Sequence, residues 1–472
     1  MKENKPTQIV INGDNIELLK KYPNNYFDSV VTDCPYGLGK EPNAEEMLGA
    51  WLKSGYLEVK GSGFMGKDWD SFVPQPIFWK EIYRVLKYGG HIVAFFGTRT
   101  YDWGCMAIRL GGFEIRDCIQ WVYGSGFPKS HNIGKAVDKI QGNEREVIGT
   151  SKANGIKAIT KSRVEQGYRK NLTIANTRDE RTLDKGNSDW EGWGSALKPA
   201  NEPIVLARKP LEKGLSIAEN MLKWGTGGIN IDVSRIGQDK QGRFPSNFIM
   251  THHQDCKCVG TKKVKGSKDG IRIASSEFGQ NSGWNDHENK DTIRKGTADK
   301  NGEETIEDWN CVDDCPIKIL DKQKGGASRF FYVAKASQWE RNYGLDEFEE
   351  KIIEGRDKGQ DERAIAYKTR PTPKKNIHPT IKPIELMQYL VRLVTQPNGI
   401  VLDAYAGSGT TGIACKIDGF NFIGLEISQE YTDIANQRIK SFNEEKLLLK
   451  ETKIFKNKDK KKTNNSTELP FE

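Results

Sequence analysis

Apolar residues form short, regularly spaced groups in two segments of the chain, residues 8–127 and 376–440. In the first segment, compact apolar runs bounded by turn residues predict buried strands, and apolar positions three and four residues apart predict helices. The predicted strands are Ile9–Ile11, Ser29–Thr32, Ile92–Phe96 and Glu114–Tyr123, and the predicted helices are 78–87 and 101–110. This order of strand, helix and strand is typical of an α/β protein.

The second segment continues the same alternation. Pro383 opens a stretch of helical spacing that ends at Pro397, and a glycine-rich turn separates the next strand from the next helix. The predicted strands are Ile400–Asp403 and Phe422–Glu426, and the two later helices end at Gly419 and span 428–441. Neither segment has enough strands for a large sheet, so both are expected to build one doubly wound, mostly parallel sheet.

The middle of the chain, residues 128–335, is expected to form a lobe inserted between a first half in 1–127 and a second half in 376–442. Polar composition predicts loops over 141–195 and 260–305. Two apolar runs within the middle predict buried strands, Pro203–Leu206 and Arg329–Ala334. The Lys- and Asn-rich tail, 443–472, is expected to lack fixed structure.

The composition narrows the class of protein. With 472 residues, 36% hydrophobic and 29% charged, the chain is too long for a bare binding module and has no apolar stretch of membrane-spanning length. Its first residues lack the apolar core of a signal peptide, so a cytoplasmic protein without a membrane partner is expected. The net charge is +8, and the basic residues gather in 151–185, 257–300 and 446–462. Such runs suit a polyanionic partner or are solvated loops.

A glycine turn follows the strand that ends at Asp403. Glycines in such a turn let the backbone approach a ligand closely, and the next helix presents unpaired N–H groups. Gly407, Gly409 and Gly412 fit a dinucleotide fingerprint, with Glu426 as the acid that binds a ribose. Taken alone, this motif leaves the nature of the ligand open, and a turn without a ligand is the other interpretation.

A second loop follows the strand that ends at Asp33. Because the carboxyl ends of strands border the ligand crevice in open α/β sheets, Asp33 and Asp403 are both expected to face it. Asp33 and the backbone carbonyl of Cys34 can each accept a hydrogen bond from an aromatic amine, and Tyr36 can stack on its ring. Pro35 restricts the backbone of Cys34 and helps to aim the carbonyl. The loop therefore suits the methylation of an amine, and a capped strand end is the plainer alternative.

Together these motifs resemble the amino-group DNA methyltransferases in their beta arrangement, in which the catalytic motif precedes the cofactor motif. The catalytic tetrapeptide of that family resembles Asp33-Cys34-Pro35-Tyr36, and its tenth motif resembles 378–383. The resemblance implies S-adenosylmethionine as cofactor and a base flipped from double-stranded DNA as acceptor. A cognate restriction endonuclease is a further candidate partner. The implied cofactor-binding residues are Asp14, Thr380, Lys382, Asp403, Ala406, Gly407, Gly409, Thr410 and Glu426.

One position departs from the family pattern, because Cys34 stands where a proline is usual. The main-chain oxygen that the chemistry needs remains, and no charge partner is evident that would make the thiol a nucleophile. Asp at the first position of the tetrapeptide favours adenine N6 over cytosine N4 as the acceptor. An NAD-type oxidoreductase and an inactive DNA-binding relative are the more distant hypotheses. The aromatic and basic residues of the middle region, among them Trp190, Trp193, Trp224 and Arg235, are expected to serve target recognition.

Cysteines are scattered along the chain, and four of them fall in two close pairs within the middle region. Cys256, Cys258, Cys311 and Cys315, with His252 and His253 just upstream, offer the ligands of a structural zinc site. Unliganded thiols are the alternative, because the first pair is spaced more tightly than is usual for zinc.

Overall fold

A computed structural model of the chain divides into two compact units, residues 1–124 with 201–472, and residues 125–200. It describes residues 6–59, 70–124, 126, 130–152, 180–236, 243–253, 255–266, 270–272, 292–294, 299, 301–313, 315–324, 326–334, 340, 342–346, 348–349, 375–378 and 381–442. The predicted tail, 443–472, and the predicted cofactor residue Thr380 lie outside the described residues.

The helices and strands of the described residues are numbered in chain order. The helices are α1 (Asn15–Leu19), α2 (Ala44–Lys53), α3 (Pro76–Val85), α4 (Tyr101–Leu110), α5 (Ile133–Gln141), α6 (Ile217–Trp224), α7 (Pro316–Lys324), α8 (Ile384–Val394), α9 (Thr410–Asp418) and α10 (Gln429–Ser441). The strands are β1 (Gln8–Asn12), β2 (Phe27–Asp33), β3 (Leu86–Phe95), β4 (Glu114–Tyr123), β5 (Glu146–Lys152), β6 (Glu180–Lys185), β7 (Asn201–Arg208), β8 (Phe248–Thr251), β9 (Lys257–Lys265), β10 (Gly270–Arg272), β11 (Thr292–Arg294), β12 (Glu303–Asn310), β13 (Tyr332–Ala334), β14 (Ile400–Asp403) and β15 (Asn421–Glu426).

Nine of the described strands form one sheet in the order β1-β15-β14-β2-β3-β7-β4-β8-β13. All neighbours run parallel except β7, which is antiparallel to both β3 and β4. The pairing of β14 with β2 joins the two halves of the chain in one sheet. The predicted α/β fold with a doubly wound, mostly parallel sheet is therefore confirmed.

Helices cover both faces of this sheet, which explains why its strands are continuous apolar runs. Neighbouring residues of β2 point to opposite faces, so Val30 packs in one hydrophobic cluster and Val31 in the other. Helices α1 to α4 contribute to the cluster of Val30, and α8 to α10 contribute to that of Val31. The carboxyl ends of β2 and β14 thus lie side by side between two rigid layers.

The structure differs from the prediction that residues 128–335 form one inserted lobe. Only Ser125–Ala200 separates as a unit of its own, and it contains α5, β5 and β6. The strands β7, β8 and β13 belong to the central sheet. The apolar runs Pro203–Leu206 and Arg329–Ala334 had predicted strands at β7 and β13, whereas β8 was not predicted. The middle of the chain therefore supplies part of the sheet as well as an insertion.

Two stretches that were expected to be loops contain antiparallel strand pairs. Strand β9 pairs with β12, and β5 pairs with β6. The prediction failed for β9 and β12 because charged pairs across the strands replace apolar alternation, as in Lys262 with Asp308 at 2.9 Å. A smaller difference concerns the start of β3. The sequence predicted a helix over 78–87 and a strand from Ile92, but β3 begins at Leu86 and passes through Gly89 at φ +79°. Among the described residues, no helix combines the length and the apolar content needed to cross a bilayer.

Candidate active site

Asp403, the last residue of β14, connects the end of β2 with the start of α9 through side-chain hydrogen bonds. Its Oδ1 accepts a hydrogen bond from Thr32 Oγ1 at 2.7 Å, and its Oδ2 accepts one from Thr411 Oγ1 at 2.6 Å. Burial raises the pKa of this carboxyl to about 6. Because Thr32 directly precedes Asp33, the loop after β2 and the glycine turn after β14 are held in fixed relation to each other.

The glycine turn after β14 needs its glycines for two reasons. Gly407 and Gly409 have φ values of +50° and +79°, which residues with a side chain rarely adopt. A Cβ at Gly409 would lie 2.9 Å from Cβ of Ala435, and one at Gly407 would lie 2.8 Å from Nε2 of His378. The turn also uses the backbone of Ala406, whose N–H donates to the carbonyl of Leu425 at 3.0 Å. The result is a tight cradle at the start of α9.

Glu426 closes this cradle from the end of β15. Its Oε2 accepts a hydrogen bond from the N–H of Gly407 at 2.9 Å, and its Oε1 accepts one from the N–H of Ser428 at 2.9 Å. Burial raises the pKa of Glu426 to about 7, although these backbone donors oppose the shift. A carboxyl group so placed can bind the hydroxyls of a ribose at the turn.

Two other predicted cofactor residues have structural partners here. Asp14 caps the N-terminus of α1, where its Oδ1 accepts a hydrogen bond from the N–H of Glu17 at 3.0 Å. Thr410 is buried, and its Oγ1 accepts one from Arg438 Nη1 at 3.4 Å. Neither contact prevents a role in binding, because Asp14 remains exposed and Thr410 opens α9 beside the turn.

The tetrapeptide loop after β2 is held through the backbone of Tyr36. Its N–H donates to Oδ1 of Asp70 at 2.8 Å, and its carbonyl accepts a hydrogen bond from Thr100 Oγ1 at 2.5 Å. Pro35 and Cys34 are buried, and burial together with the Asp33 and Asp403 carboxylates raises the pKa of the Cys34 thiol. The thiol therefore stays protonated, which agrees with the conclusion that it is no nucleophile.

Lys382 lies against the tetrapeptide. Its buried Nζ is 2.7 Å from Oδ2 of Asp33, 3.2 Å from Oε2 of Glu202 and 3.2 Å from the hydroxyl of Tyr36. Burial opposes the charge of Lys382, but the two carboxylates outweigh it and raise its pKa. The Tyr36 hydroxyl in turn donates to Oε2 of Glu202 at 2.5 Å. Asp33, Tyr36, Glu202 and Lys382 thus form one connected network.

The other oxygen of Asp33 has a different environment. Oδ1 is buried and has no hydrogen-bond partner within the part of the chain that the structure describes. Leaving a buried acceptor unpaired costs about 1–3 kcal/mol. Asp33 therefore presents one oxygen fixed by Lys382 and one oxygen that can accept a hydrogen bond from a ligand.

Sequence reasoning missed several residues that shape this site. Glu202 lies on the reversed strand β7, far from the tetrapeptide in sequence, and no local pattern could have identified it. Asp70 is also distant from the loop that it anchors. Arg438 is fully buried and donates to the carbonyl of Ser408 in the glycine turn. A charged residue on the apolar side of α10, beside Ala435 and Ile439, was the available signal.

The predicted metal ligands are only partly brought together. One ligand atom from each of His252, Cys256, Cys311 and Cys315 lies within 4.8 Å of the others. Cys258 does not belong to this group. Because it lies inside β9, its thiol contacts the carbonyl of Gly260 at 3.5 Å instead. His252 therefore takes the fourth place that the spacing of the cysteines had assigned to Cys258.

The residues that were expected to recognise DNA differ in exposure. Trp190 and Trp193 are 46% and 58% exposed and meet edge to face within the unit 125–200. Trp224 instead packs against Tyr88 and donates to Glu212. Arg235 is paired with Asp232 at 2.9 Å. Trp190 and Trp193 are thus the better candidates for contacts with a partner.

Comparison with known proteins places this arrangement in context. The Type II methyltransferase M.HindIII of Haemophilus influenzae is 22% identical over 470 residues, which cover 96% of this chain and 99% of that protein. M.HinfI of Haemophilus influenzae is 41% identical over 66 residues, 14% of this chain and 18% of that protein. Over most of its length, M.HinfI is therefore not aligned with this chain.

Solved structures of DNA methyltransferases resemble the chain at low identity. The M1.HpyAVI complex with S-adenosylmethionine is 15% identical, covers 91% of this chain and 98% of its own, and has a TM-score of 0.34. The cytosine-N4-specific PvuII methyltransferase is 13% identical, covers 94% and 93%, and has a TM-score of 0.35.

A family model described as DNA methylase matches residues 27–437. The match contains the tetrapeptide loop, the reversed strand with Glu202 and the glycine turn. The chain therefore belongs to the N6/N4 DNA methylase family.

Proposed function

We propose that this protein transfers a methyl group from S-adenosylmethionine to the exocyclic amine of a base flipped out of double-stranded DNA, with adenine N6 favoured over cytosine N4. The observation that carries the proposal is the buried Oδ1 of Asp33, which has no partner among the described residues. An amine N–H that donates to this oxygen removes the cost of leaving it unpaired. Asp33 Oδ2 is already occupied by Lys382, so the carboxylate is fixed in orientation before the base arrives.

The chemistry follows from this placement. The amine donates one hydrogen bond to Asp33 Oδ1 and one to the carbonyl of Cys34, which draws the nitrogen lone pair out of conjugation with the ring. The lone pair forms a bond to the methyl carbon while the carbon–sulfur bond breaks, and both of its electrons stay on sulfur as a neutral thioether. The nitrogen then loses its extra proton through the hydrogen bond to Asp33.

Glu202 and Lys382 act in this scheme as positioning residues. Lys382 fixes one oxygen of Asp33, and Glu202 holds both Lys382 and the hydroxyl of Tyr36. The Tyr36 ring is thereby held beside Asp33, where it can stack on the flipped base. Lys382 was predicted to bind the cofactor through its motif, and its contacts support a role in ordering the acceptor side of the site.

The glycine turn is proposed to bind the cofactor. Gly407 and Gly409 allow its backbone to approach closely, and Glu426 accepts hydrogen bonds from the ribose hydroxyls. Asp14, which follows β1 beside β15, is proposed to contact the adenine. Ala406 is proposed to bind the cofactor in the glycine turn, and Thr380 to do so through its motif at 378–383. Because the pKa of Glu426 is near 7, cofactor binding to its ionised form releases protons around neutral pH.

The unit 125–200 is proposed to recognise the DNA target. It carries 14 lysine and arginine residues against 9 aspartate and glutamate residues, which is +5 of the chain's net +8. Clustered basic residues favour binding to phosphates through release of counterions. The exposed rings of Trp190 and Trp193 add surfaces for contact with bases or sugars. Such an enzyme is expected to work in the cytoplasm of a bacterial or phage-infected cell, with a cognate endonuclease as a second partner.

The test is the identity of the methylated base. The full-length protein is incubated with S-adenosylmethionine and unmethylated genomic DNA, and the nucleosides are separated by mass spectrometry after digestion. N6-methyladenine supports the proposal, and N4-methylcytosine shows that cytosine is the acceptor instead. If neither base is found although the protein binds the cofactor, the protein is an inactive DNA-binding relative. Calorimetry with S-adenosylmethionine and with NAD distinguishes the methylase from an oxidoreductase. Sequencing of the methylated positions gives the recognition site against which an endonuclease would be sought.

A further inference from the structure

A cluster of four metal-ligating side chains lies outside the proposed active site. We propose that His252, Cys256, Cys311 and Cys315 bind a structural zinc ion that fastens the hairpin of β9 and β12 to the central sheet. One ligand atom of each residue lies within 4.8 Å of the other three. Three thiols and one imidazole are a common ligand set of structural zinc sites.

The distances fit the tetrahedron that zinc requires. Zinc bonds of about 2.3 Å to sulfur and about 2.0–2.1 Å to nitrogen imply edges of roughly 3.5–3.8 Å between ligand atoms. The Nδ1 of His252 is 3.3 Å from Sγ of Cys311 and 3.6 Å from Sγ of Cys315. The imidazole nitrogen therefore already lies near the separations of a bound site from two of the thiols, and the other ligand pairs, all within 4.8 Å, must draw closer to complete the tetrahedron.

The chain brings these residues together through two turns of equal length. His252 and Cys256 are four residues apart, as are Cys311 and Cys315. In the first turn, the N–H of Cys256 donates to the carbonyl of His253 at 2.9 Å. In the second turn, the N–H of Cys315 donates to the carbonyl of Val312 at 3.3 Å. The first turn connects β8 of the sheet with β9, and the second connects β12 with α7. A metal bound by both turns joins three parts of the fold.

The imidazole ligand is held in a fixed orientation. The ring of His252 is stacked on Trp309 at 3.8 Å between centroids and 18° between planes. This contact aims Nδ1 at the thiols, and the residue is only 6% exposed. Lys318 donates to the carbonyl of Cys311 at 2.9 Å, which places a positive charge beside a site whose thiols must ionise to bind metal.

The hairpin buries little apolar surface, and its other attachment among the described residues is polar: the buried Glu304 of β12 pairs with Arg243 at 2.7 Å and with Arg329 at 3.2 Å. Its local hydrophobic cluster contains only three buried residues among the described ones, Met250, Cys315 and Ile317. Most side chains of β9 are exposed or half-buried. Small units with so little apolar burial are commonly stabilised by disulfides or metals.

The ligand types indicate which metal would bind. Thiolate and imidazole ligands select zinc over magnesium and calcium, which prefer oxygen.

The experiment measures metal in the full-length protein, expressed in medium with zinc and purified without chelators. Elemental analysis by mass spectrometry is expected to find about one zinc ion per chain. The Cys315→Ser variant is expected to lose it, while Cys258→Ser, a matched cysteine in the same hairpin, is expected to keep it. Wild-type protein without zinc, with another metal in its place, or with zinc that both variants retain would overturn the proposal.

A second measurement keeps the test valid if Cys315→Ser does not fold. Wild-type protein is grown with cobalt in place of zinc, and its absorption spectrum is recorded. Tetrahedral cobalt with three thiolates gives intense visible bands and a near-ultraviolet charge-transfer band, and Cys258→Ser is expected to show both unchanged. A weak spectrum typical of octahedral cobalt, or bands that disappear in Cys258→Ser, would contradict the assigned ligands. Neither readout depends on methyl transfer, so failure of the zinc site and failure of the proposed function are separable.

Discussion

The edge of the central sheet and the outer hairpin, defined here as β9, β12 and the turns 252–256 and 311–315, are built by different means. At the sheet edge, Asp33 and Asp403 are the last residues of strands buried on both faces, and a buried hydrogen bond from Thr32 to Asp403 connects the two strand ends. The outer hairpin buries few apolar side chains and has exposed ion pairs across its strands. At the sheet edge, apolar packing fixes the positions of the polar groups. In the outer hairpin, hydrogen bonds, ion pairs and the proposed metal ligands must hold the strands in place, because apolar packing is sparse.

This contrast implies that the two regions respond differently to the same kind of change. At the sheet edge, the addition of a single methyl group is expected to destabilise the fold, because neighbouring atoms are in close contact with the backbone there. An exposed charge such as Lys262 matters little in the hairpin because it is solvated, whereas the buried Glu304 is paired with Arg243. The proposed metal ligands and the buried Glu304 are the exceptions, because each joins β9 and β12 to residues outside these strands.

Removal of the metal is expected to produce the largest difference between the regions. Binding of structural zinc contributes roughly 10 kcal/mol or more in small zinc-dependent domains. A chelator is therefore expected to abolish the protection of amides in β9 and β12 against hydrogen exchange, while those of β2 and β14 remain protected. Hydrogen exchange monitored by mass spectrometry measures both in one sample. Equal loss of protection in both regions would show that the hairpin is not a separately stabilised element.

Replacement of Asp33 by alanine is expected to lower the rate of methyl transfer by at least about 100-fold. The variant removes the acceptor for the target amine, but the glycine turn and Glu426 remain intact. Affinity for S-adenosylmethionine, measured by calorimetry, is expected to stay within a few-fold of the wild-type value. Tritium transfer from labelled cofactor to DNA measures the rate, with Cys258→Ser in the outer hairpin as the active control. Full activity of the alanine variant would remove Asp33 from the proposed mechanism.

A pair of glycine variants separates backbone strain from close packing. Gly409 and Gly419 have similar φ values, +79° and +75°, but a Cβ at Gly409 meets Ala435 and one at Gly419 meets nothing within 4 Å. Both alanine variants incur about 1–2 kcal/mol for the left-handed backbone. Gly409→Ala is expected to lose about 1–3 kcal/mol more through overpacking. Unfolding in urea measures the free energy of unfolding of both variants. Equal decreases would mean that the backbone around Gly409 shifts to accommodate the methyl group at little cost.

Stability of the cofactor-free protein is expected to fall as the pH rises from about 4.5 to 7. The pKa of Glu426 is raised to about 7 by burial, so the folded state holds a proton that the unfolded state releases in this range. Each such group contributes a slope of at most about 1.4 kcal/mol per pH unit. The Glu426→Gln variant is expected to show a flatter profile than the wild type. Identical profiles of unfolding free energy against pH would contradict the raised pKa.

Loss of one cross-strand ion pair in the outer hairpin is expected to have the smallest effect. Lys262 and Asp308 lie 2.9 Å apart with side chains 51% and 40% exposed. Exposed pairs contribute less than about 1 kcal/mol because water and salt screen them. The Lys262→Ala variant is therefore expected to unfold within that margin of the wild type and to keep its metal. A larger loss would mean that this exposed ion pair is less screened by water and salt than its exposure implies.

The sequence could predict those features that rest on burial. Continuous apolar runs such as Val30–Val31 indicated strands covered on both faces, and the carboxyl ends of parallel strands indicated that Asp33 and Asp403 would be neighbours. The position of Glu202 could not be predicted, because it depends on the reversal of β7 between β3 and β4. The hairpin of β9 and β12 was also missed, since its strands carry charges where periodicity would need apolar residues.

The metal site shows why spacing alone was insufficient. Two close pairs of cysteines indicated ligands, but spacing cannot show which way a side chain points. Cys258 lies inside β9 and its thiol contacts the carbonyl of Gly260, whereas His252 is turned toward the thiols by its stack on Trp309. The choice between them is a property of the tertiary structure.

The pairing of β4 with β7 has a consequence for the diversity of such enzymes. Val122 and Asn201 are direct partners across these strands, and the entire unit 125–200 is inserted between Gly124 and Asn201. Two chain ends that start from paired positions can be closed by a short turn as readily as by a domain. We therefore expect that an insertion of another length could replace this unit without changing the pairing of β4 with β7.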